Sequence, residues 1–555
     1  MDKTLAKILS LCLVLATLQP LQAATLIYNV NGYSLNQGEL QRFVALEFEQ
    51  DKVTRLYASA LNAERSSAET RIDAGGATLL PGLIDAHGHV SGHGRALSSV
   101  DLVGVTSEQQ AVQRVASYLA QHPASEWVQG RGWNQVLWPE KTFPNKASLD
   151  AISADSAVVL TRVDGHALWA NSNALALAGI SASTPDPEGG QIVRDSKGQP
   201  TGVLIDNAMT LVHRVMPQAS VEQLAQWQYR ALEDLASYGI TSVHDAGVSA
   251  LEVQAYRVLQ RAGRLPIRVY AMLDLRDPGN DVYLEAGPSV DQAHRLDVRS
   301  VKIWVDGALG SRGAALFEDY SDAPGERGLL LQSAEALEQH MNRAVAAGYQ
   351  VSAHAIGDRA NARVLDLYER LNSDPKSAAL RHRVEHAQVL RRQDIARFPA
   401  LNVIASIQPL HAVSDKNMAG ARLGKERLQG AYAWQSLLAS ASHMAAGSDF
   451  PVESPNPFLG LHAAVSRQDQ SGEPNTAWMP EQKISRLDAL ALFTEGAAYA
   501  AHQEAAIGRL QPGYFADFIL IDKDYFEVPE AELGQLQVKA VYVAGKQVYQ
   551  APRFR

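Results

Sequence analysis

The stretch LLPGLIDAHGHV, residues 79–90, ends an apolar run in two histidines, His87 and His89, one residue apart. In extended backbone, residues i and i+2 point to the same side, so both imidazoles face one point at the end of the run. Pro81 and Gly82 punctuate its start, and Gly88 leaves room for another backbone to approach closely.

Seven further short apolar runs follow the first. They are ITSVHDAG (240–247), IRVYAML (267–273), SVKIWVDG (300–307), YQVSAHAIGD (349–358), HRVEHAQ (382–388), LNVIASIQP (401–409) and HMAAGSDFP (443–451). Helical patterns lie between several of them, such as SAEALEQHMNRAVAAG at 333–348. Strands alternating with helices predict a parallel sheet, and eight of them predict an α/β fold of the (β/α)8, TIM-like type. A ninth apolar run, SAVVLTR at 156–162, falls in the long gap after the first strand. It is assigned to an insertion spanning about 95–225.

In such barrels the chemistry sits at the C-terminal ends of the strands. His87 and His89 end the first run, His354 the fifth and His386 the sixth; Asp449 lies near the end of the eighth. Lys302 lies early in the fourth run, with Asp306 near its end. A lone histidine on an apolar strand is more often a hydrogen-bonded core residue. Four histidines and an aspartate at the same place on four strands outweigh that reading. They predict a site for zinc or a similar divalent ion.

Composition frames the rest. The 555 residues are 46% hydrophobic and 20% charged, an ordinary globular balance. The net charge of −10, without a Lys/Arg cluster, excludes a nucleic-acid partner and points to a small-molecule one. The first residues read as a signal peptide, 1–24: Lys3 and Lys7, an apolar run at 8–18, and small Ala23 and Ala24. Cys12, the only cysteine, lies inside it, so the expected mature protein is periplasmic or secreted and free of disulfides. No later stretch is long and apolar enough to span a membrane. The oligomeric state stays open, a homo-oligomer included. Alternating runs at 25–80 and 505–555 share a β texture and predict one small β-sandwich built from both chain ends, leaving 81–504 to the barrel.

PGLIDAHGHV, VKIWVDGALGSRGAAL, SAHAIGD, RHRVEHAQ and AAGSDFPVESPNP together resemble the metal-dependent amidohydrolase superfamily. The chain is most similar to the amidohydrolase-3 branch, which includes proteins like N-substituted formamide deformylase. GRGWNQVLWPE, TRVDGHALWANSNAL and the tail IGRLQPGYFADFILID share that likeness. The resemblance implies a barrel with a composite β-sandwich and a centre of one or two metal ions. It places His87, His89, His354, His386 and Asp449 at ligand positions. Lys302 matches the position of a carboxylated lysine that bridges two metals in many relatives; an ordinary lysine paired with an acidic neighbour is the alternative.

The expected reaction is hydrolysis of a non-peptide carbon–nitrogen bond, an amide or formamide, by metal-activated water. Asp449 is the expected general base. His386 or His354 serves as ligand or as oxyanion partner. A D-aminoacylase-like deacylase, a deaminase acting on a cyclic amidine and a non-catalytic exported binding protein on the same fold are the other readings. Trp133, Asp164, His166 and Asn171 either line the substrate pocket or pack the insertion. Arg312 binds a substrate carboxylate or makes a surface ion pair.

Overall fold

Runs rich in Val, Ile and Ala that are buried on both faces belong at the centre of a parallel sheet, and the eight runs expected from the sequence are its eight strands. The computed structural model describes residues 24–552 apart from 37, 124, 136–137, 154, 163–166 and 188–189. The barrel strands are β1 (Leu83–Gly88), β2 (Ile240–Val248), β3 (Arg268–Asp274), β4 (Leu296–Trp304), β5 (Gln350–Ala355), β6 (Arg383–His386), β7 (Ile404–Ile407) and β8 (Met444–Ala446). Each pairs in parallel with the next in chain order.

The seam between β8 and β1 is closed just beyond β8. The Asp449 amide donates to the His87 carbonyl at 2.7 Å, and the His89 amide to the Phe450 carbonyl at 2.8 Å. This is the close approach that Gly88 permits. A Cβ on Gly88 would stand 2.1 Å from the Phe450 ring.

Amphipathic helices cover the barrel. The expected helix near 333–348 is Ala334–Ala346, opened by Ser333, whose hydroxyl accepts from the Ala336 amide at 3.2 Å. Their buried faces join the strands in one large apolar core that includes Val243, Leu273, Val301, Leu337, Val351 and Tyr368.

Strands from both chain ends form one eight-stranded sheet. Strand Thr78–Pro81, which leads into β1, lies between Thr25–Asn36 on one side and Phe518–Ile521 on the other. Asp517, just before that last strand, takes Arg268 of β3 at 2.6 and 2.9 Å in a buried pair. The insertion carries its own six-stranded sheet, in the order 190–194, 200–206, 167–170, 157–162, 127–133, 100–101. The run at 156–162 is a strand there and not a ninth barrel strand. The expected signal peptide lies outside the described residues, except for Ala24. Among the described residues, no helix is long and apolar enough to cross a membrane.

Candidate metal centre

β1 is extended to its end, so its alternation aims the His87 imidazole into the barrel mouth. His87 is fully buried. Its Nδ1 lies 2.6 Å from Glu385 Oε2, which turns Nε2 toward Asp449 Oδ1 at 3.6 Å. His89 puts its Nε2 3.1 Å from the same oxygen. The two rings stand 5.7 Å apart, nearly perpendicular.

Asp449 and His386 reach the cluster by unusual backbone. Asp449 has φ 62°, His386 φ 77° and the following Ala387 φ 43°. Residues other than glycine adopt this left-handed region only where surrounding contacts impose it, and such positions concentrate at functional sites. The His386 ring lies 5.1 Å from His87 and 4.5 Å from His354.

The donor set fits a divalent cation. His354 Nε2, His386 Nδ1 and Asp449 Oδ1 are buried without a hydrogen-bond partner. His89 Nε2 is close to Asp449 Oδ1 but not aligned to donate to it. Among the described residues, two sets bring their ligand atoms within 4.8 Å of one another: His87, His89 and Asp449, and His386, His411 and Asp449. Neutral imidazole and carboxylate are the zinc-type ligands.

Burial and neighbouring charge keep the groups in ligand form. Burial, reinforced by Lys302, lowers His87 to about 4 and His354 to about 3. His386 is pushed well down by burial and by His354. Burial would raise Asp449, but His411 and His89 hold it well below the usual carboxylate range. Glu385 likewise stays ionised against its burial because Arg383, with Nε 2.7 Å from Oε1, sits beside it. Lys302 is buried with Nζ 3.0 Å from His87 Nε2, and burial lowers it to about 8, which favours the neutral amine that a carbamate requires.

Asp306 is committed elsewhere. It accepts from the amides of Ala315, Ile356 and Gly357 at 2.8, 3.0 and 2.8 Å, tying together the loops after β4 and β5. His354 Nε2 lies 3.6 Å from it.

The residues expected to touch substrate divide. Trp133 is fully buried; its Nε1 donates to the Leu160 carbonyl at 2.8 Å and its ring packs on Trp138 and Trp169. It is therefore a core residue of the insertion, which corrects its reading as a pocket wall. Asn171 caps helix Ser172–Leu177 and accepts from the Val158 amide, the packing alternative. Asp164 and His166 lie outside the described residues. Arg312 makes a two-pronged pair with Asp322 at 3.2 and 3.1 Å, the ion-pair alternative.

Two members of the cluster escaped the sequence reading. His411 lies four residues past β7, at the strand-end level that singled out the others. Its Nε2 is 3.4 Å from Asp449 Oδ2 and its Nδ1 3.5 Å from Glu453 Oε1. Burial works against its charge, yet those two carboxylates raise it to about 10. Glu385 sits beside His386 in the quoted run HRVEHAQ.

Comparison with known proteins agrees with this geometry. The Amidohydrolase family profile matches residues 70–549. YtcJ of Bacillus subtilis (strain 168) is 33% identical over 525 residues, 93% of this chain and 97% of that protein. The N-substituted formamide deformylase of Arthrobacter pascens is 27% identical over 494 residues, 85% of this chain and 89% of the relative. The crystal structure of an uncharacterized metal-dependent hydrolase from Pyrococcus furiosus superposes with a TM-score of 0.76 at 28% identity, covering 91% of this chain and 100% of that one. A closed parallel barrel with imidazoles and a carboxylate gathered at its mouth, matched along most of its length to these proteins, belongs to the amidohydrolase family and is a metal-dependent hydrolase.

Proposed function

We propose that the protein hydrolyses a non-peptide carbon–nitrogen bond of a small amide or formamide, with Asp449 as general base. The observation that carries this reading is that His87 and His89 bring their ligand atoms within 4.8 Å of Asp449, while the buried Asp449 Oδ1 and His386 Nδ1 have no hydrogen-bond partner. The likeness to N-substituted formamide deformylase supports the amide or formamide class.

His87, His89, His386 and Asp449 would hold the cation. When bound, zinc or a similar ion supplies Lewis acidity, which activates water near neutral pH and polarises a carbonyl. The rest falls to the chain. Asp449 is ionised and accepts a proton from the attacking water, then passes it to the leaving nitrogen. His89 and His411 flank its two oxygens and fix its plane. Arg383 and Glu385 hold His87 with its Nδ1 proton away from the mouth. Asp306 cannot share the base role, because three amides occupy its oxygens.

The basic, apolar and small-residue order of 1–24 supports export, so the working compartment proposed is the periplasm or beyond, and N-terminal sequencing of the secreted protein checks it. The test of function is a panel of N-acyl and N-formyl amines, run with chelator-stripped and metal-reloaded protein. Turnover should appear only after reloading and fall by about 10²–10⁴ in Asp449→Asn. Equal, negligible rates across the panel with and without metal would discard the activity; unchanged turnover in the variant would discard the base.

A further inference from the structure

The wall of the mouth opposite Asp449 carries a group that the proposed chemistry does not use. In a barrel of eight strands paired in chain order, β4 stands across from β8. Trp304 ends β4, two residues beyond Lys302, and alternation puts both side chains on the inner side of the barrel. Lys302 marks that side, with its Nζ 3.0 Å from His87 Nε2. The Trp304 ring stands one step further out, its centroid 5.3 Å from the same Nζ. It reaches past β3 to β2, where Gly247 leaves room for it. A Cβ on Gly247 would stand 2.6 Å from the ring.

Arg276, two residues past the end of β3, sits over this ring with its guanidinium carbon 3.4 Å from the centroid. Asp274 grips one edge of the guanidinium. Nε lies 3.1 Å from Oδ1, and Nη2 lies 2.9 Å from Oδ2. Among the described residues, none takes a hydrogen bond from Nη1, and the Arg276 side chain is 60% exposed. An arginine with one edge clamped and its face stacked has lost much of its freedom before any ligand arrives. A partner on the other edge therefore costs little further ordering. That edge, Nη1 with the second N–H of Nη2, is the two-pronged donor that fits a carboxylate. Arg312 is a contrast. It too is gripped by an aspartate, but that carboxylate also takes Arg422, and among the described residues no aromatic ring lies under its guanidinium.

We propose that Arg276, held in place by Asp274 and Trp304, binds a carboxylate on the substrate, so that the protein prefers N-acyl compounds carrying a free acid over their neutral amides. This rests on the hydrolase reading above and deepens it by naming the substrate class. The leaving nitrogen lies toward Asp449, so the acyl part lies nearer Arg276, and an acid on the acyl chain is the favoured form.

Two matched pairs test it, each an acid and its primary amide. N-benzylsuccinamic acid and N-benzylsuccinamide place the acid on the acyl side; N-formylphenylalanine and N-formylphenylalaninamide place it on the amine side. Where metal-reloaded wild type turns a pair over, the readout is kcat/KM; where it does not, the readout is the calorimetric Kd. At least one pair should favour the acid by about 10–100-fold. Arg276→Gln should bring that ratio close to one. Arg276→Lys keeps the charge without the fork, and Trp304→Leu keeps the arginine without its platform; both should give intermediate ratios. A purely structural role would move acid and amide together. Circular dichroism establishes that each variant folds, and either Arg276 variant alone suffices for the comparison. A wild-type ratio near one in both pairs, failure of both acids to bind, or a ratio unchanged in Arg276→Gln would overturn the subsite while leaving the hydrolase intact. An acid preference in binding that depends on Arg276, without turnover of either pair, would support the subsite and tell against the hydrolase reading.

Discussion

At the scale of single residues, the centre depends on groups packed behind its histidines. Glu385 is fully buried and ionised beside Arg383, and its hydrogen bond decides which nitrogen His87 presents. Glu385→Gln keeps the shape and loses the charge. It should weaken metal binding about 10–100-fold, read by competition with a chelator of known affinity. An unaltered affinity would mean that the ring is held by packing alone. The strand-end histidines were legible because period-two alternation and position on the runs suffice to find them. Glu385 was not. In a regular strand, neighbours face opposite sides, so Glu385 and His386 should not serve the same site. They do so because His386 turns into the left-handed region at φ 77°, a backbone choice that residue type does not announce. His411 escaped for a related reason: a histidine in a helical first turn carries no mark of its neighbours across the barrel.

At the scale of elements, the seam between β8 and β1 and the packing behind β6 carry two expectations. Gly88 faces the Phe450 ring so closely that any Cβ would overlap it. Gly88→Ala should cost about 1–3 kcal/mol in urea unfolding, and Gly88→Ala combined with Phe450→Ala should relieve the clash so that the two effects do not add. Strict additivity would show the seam to be soft. His382, just before β6, accepts from the Val351 amide at 3.1 Å, contacts the Ser377 hydroxyl and stacks on Tyr368. Burial lowers it to about 3. An unfolded histidine titrates near 6.5, so below that pH the unfolded chain takes up a proton that the folded protein refuses. Stability is therefore whole above about 6.5 and lost as pH falls toward 3. Between pH 7.5 and 5 the difference is about 2 kcal/mol. His382→Gln, which offers an amide in place of the ring, should lose that much less over the same interval. The eight strands themselves were readable, since short apolar runs between helical patterns have few alternatives. The insertion was readable only in outline: one strand of its sheet stood out, and at Trp133 a pocket wall and a packed core stayed equally open because bulk and polarity do not tell an inward face from an outward one.

At the scale of the whole molecule, the chain ends are tied to the catalytic barrel. Arg268 and Asp517 pair where water is excluded, joining β3 to the sheet that both termini build. Removing one partner strands the other charge. Asp517→Ala should destabilise by about 3–5 kcal/mol, whereas an exposed pair such as Arg370–Glu338 should contribute under about 1 kcal/mol, both read from denaturant midpoints. Similar losses at the two sites would contradict this picture. That the two flanks form one unit was legible from their shared β texture. Their strand order was not, because pairing between segments this far apart depends on tertiary fit that local pattern does not encode.

The central place of strand Thr78–Pro81 in that sheet bears on biosynthesis. Leu80 pairs with Ile519 across that sheet, so the lead-in to His87 and His89 waits for a partner that the ribosome makes long after it. The first ligands to emerge are among the last to be fixed in position. A stalled or clipped nascent chain would thus display its histidines without ever assembling a cage around an ion.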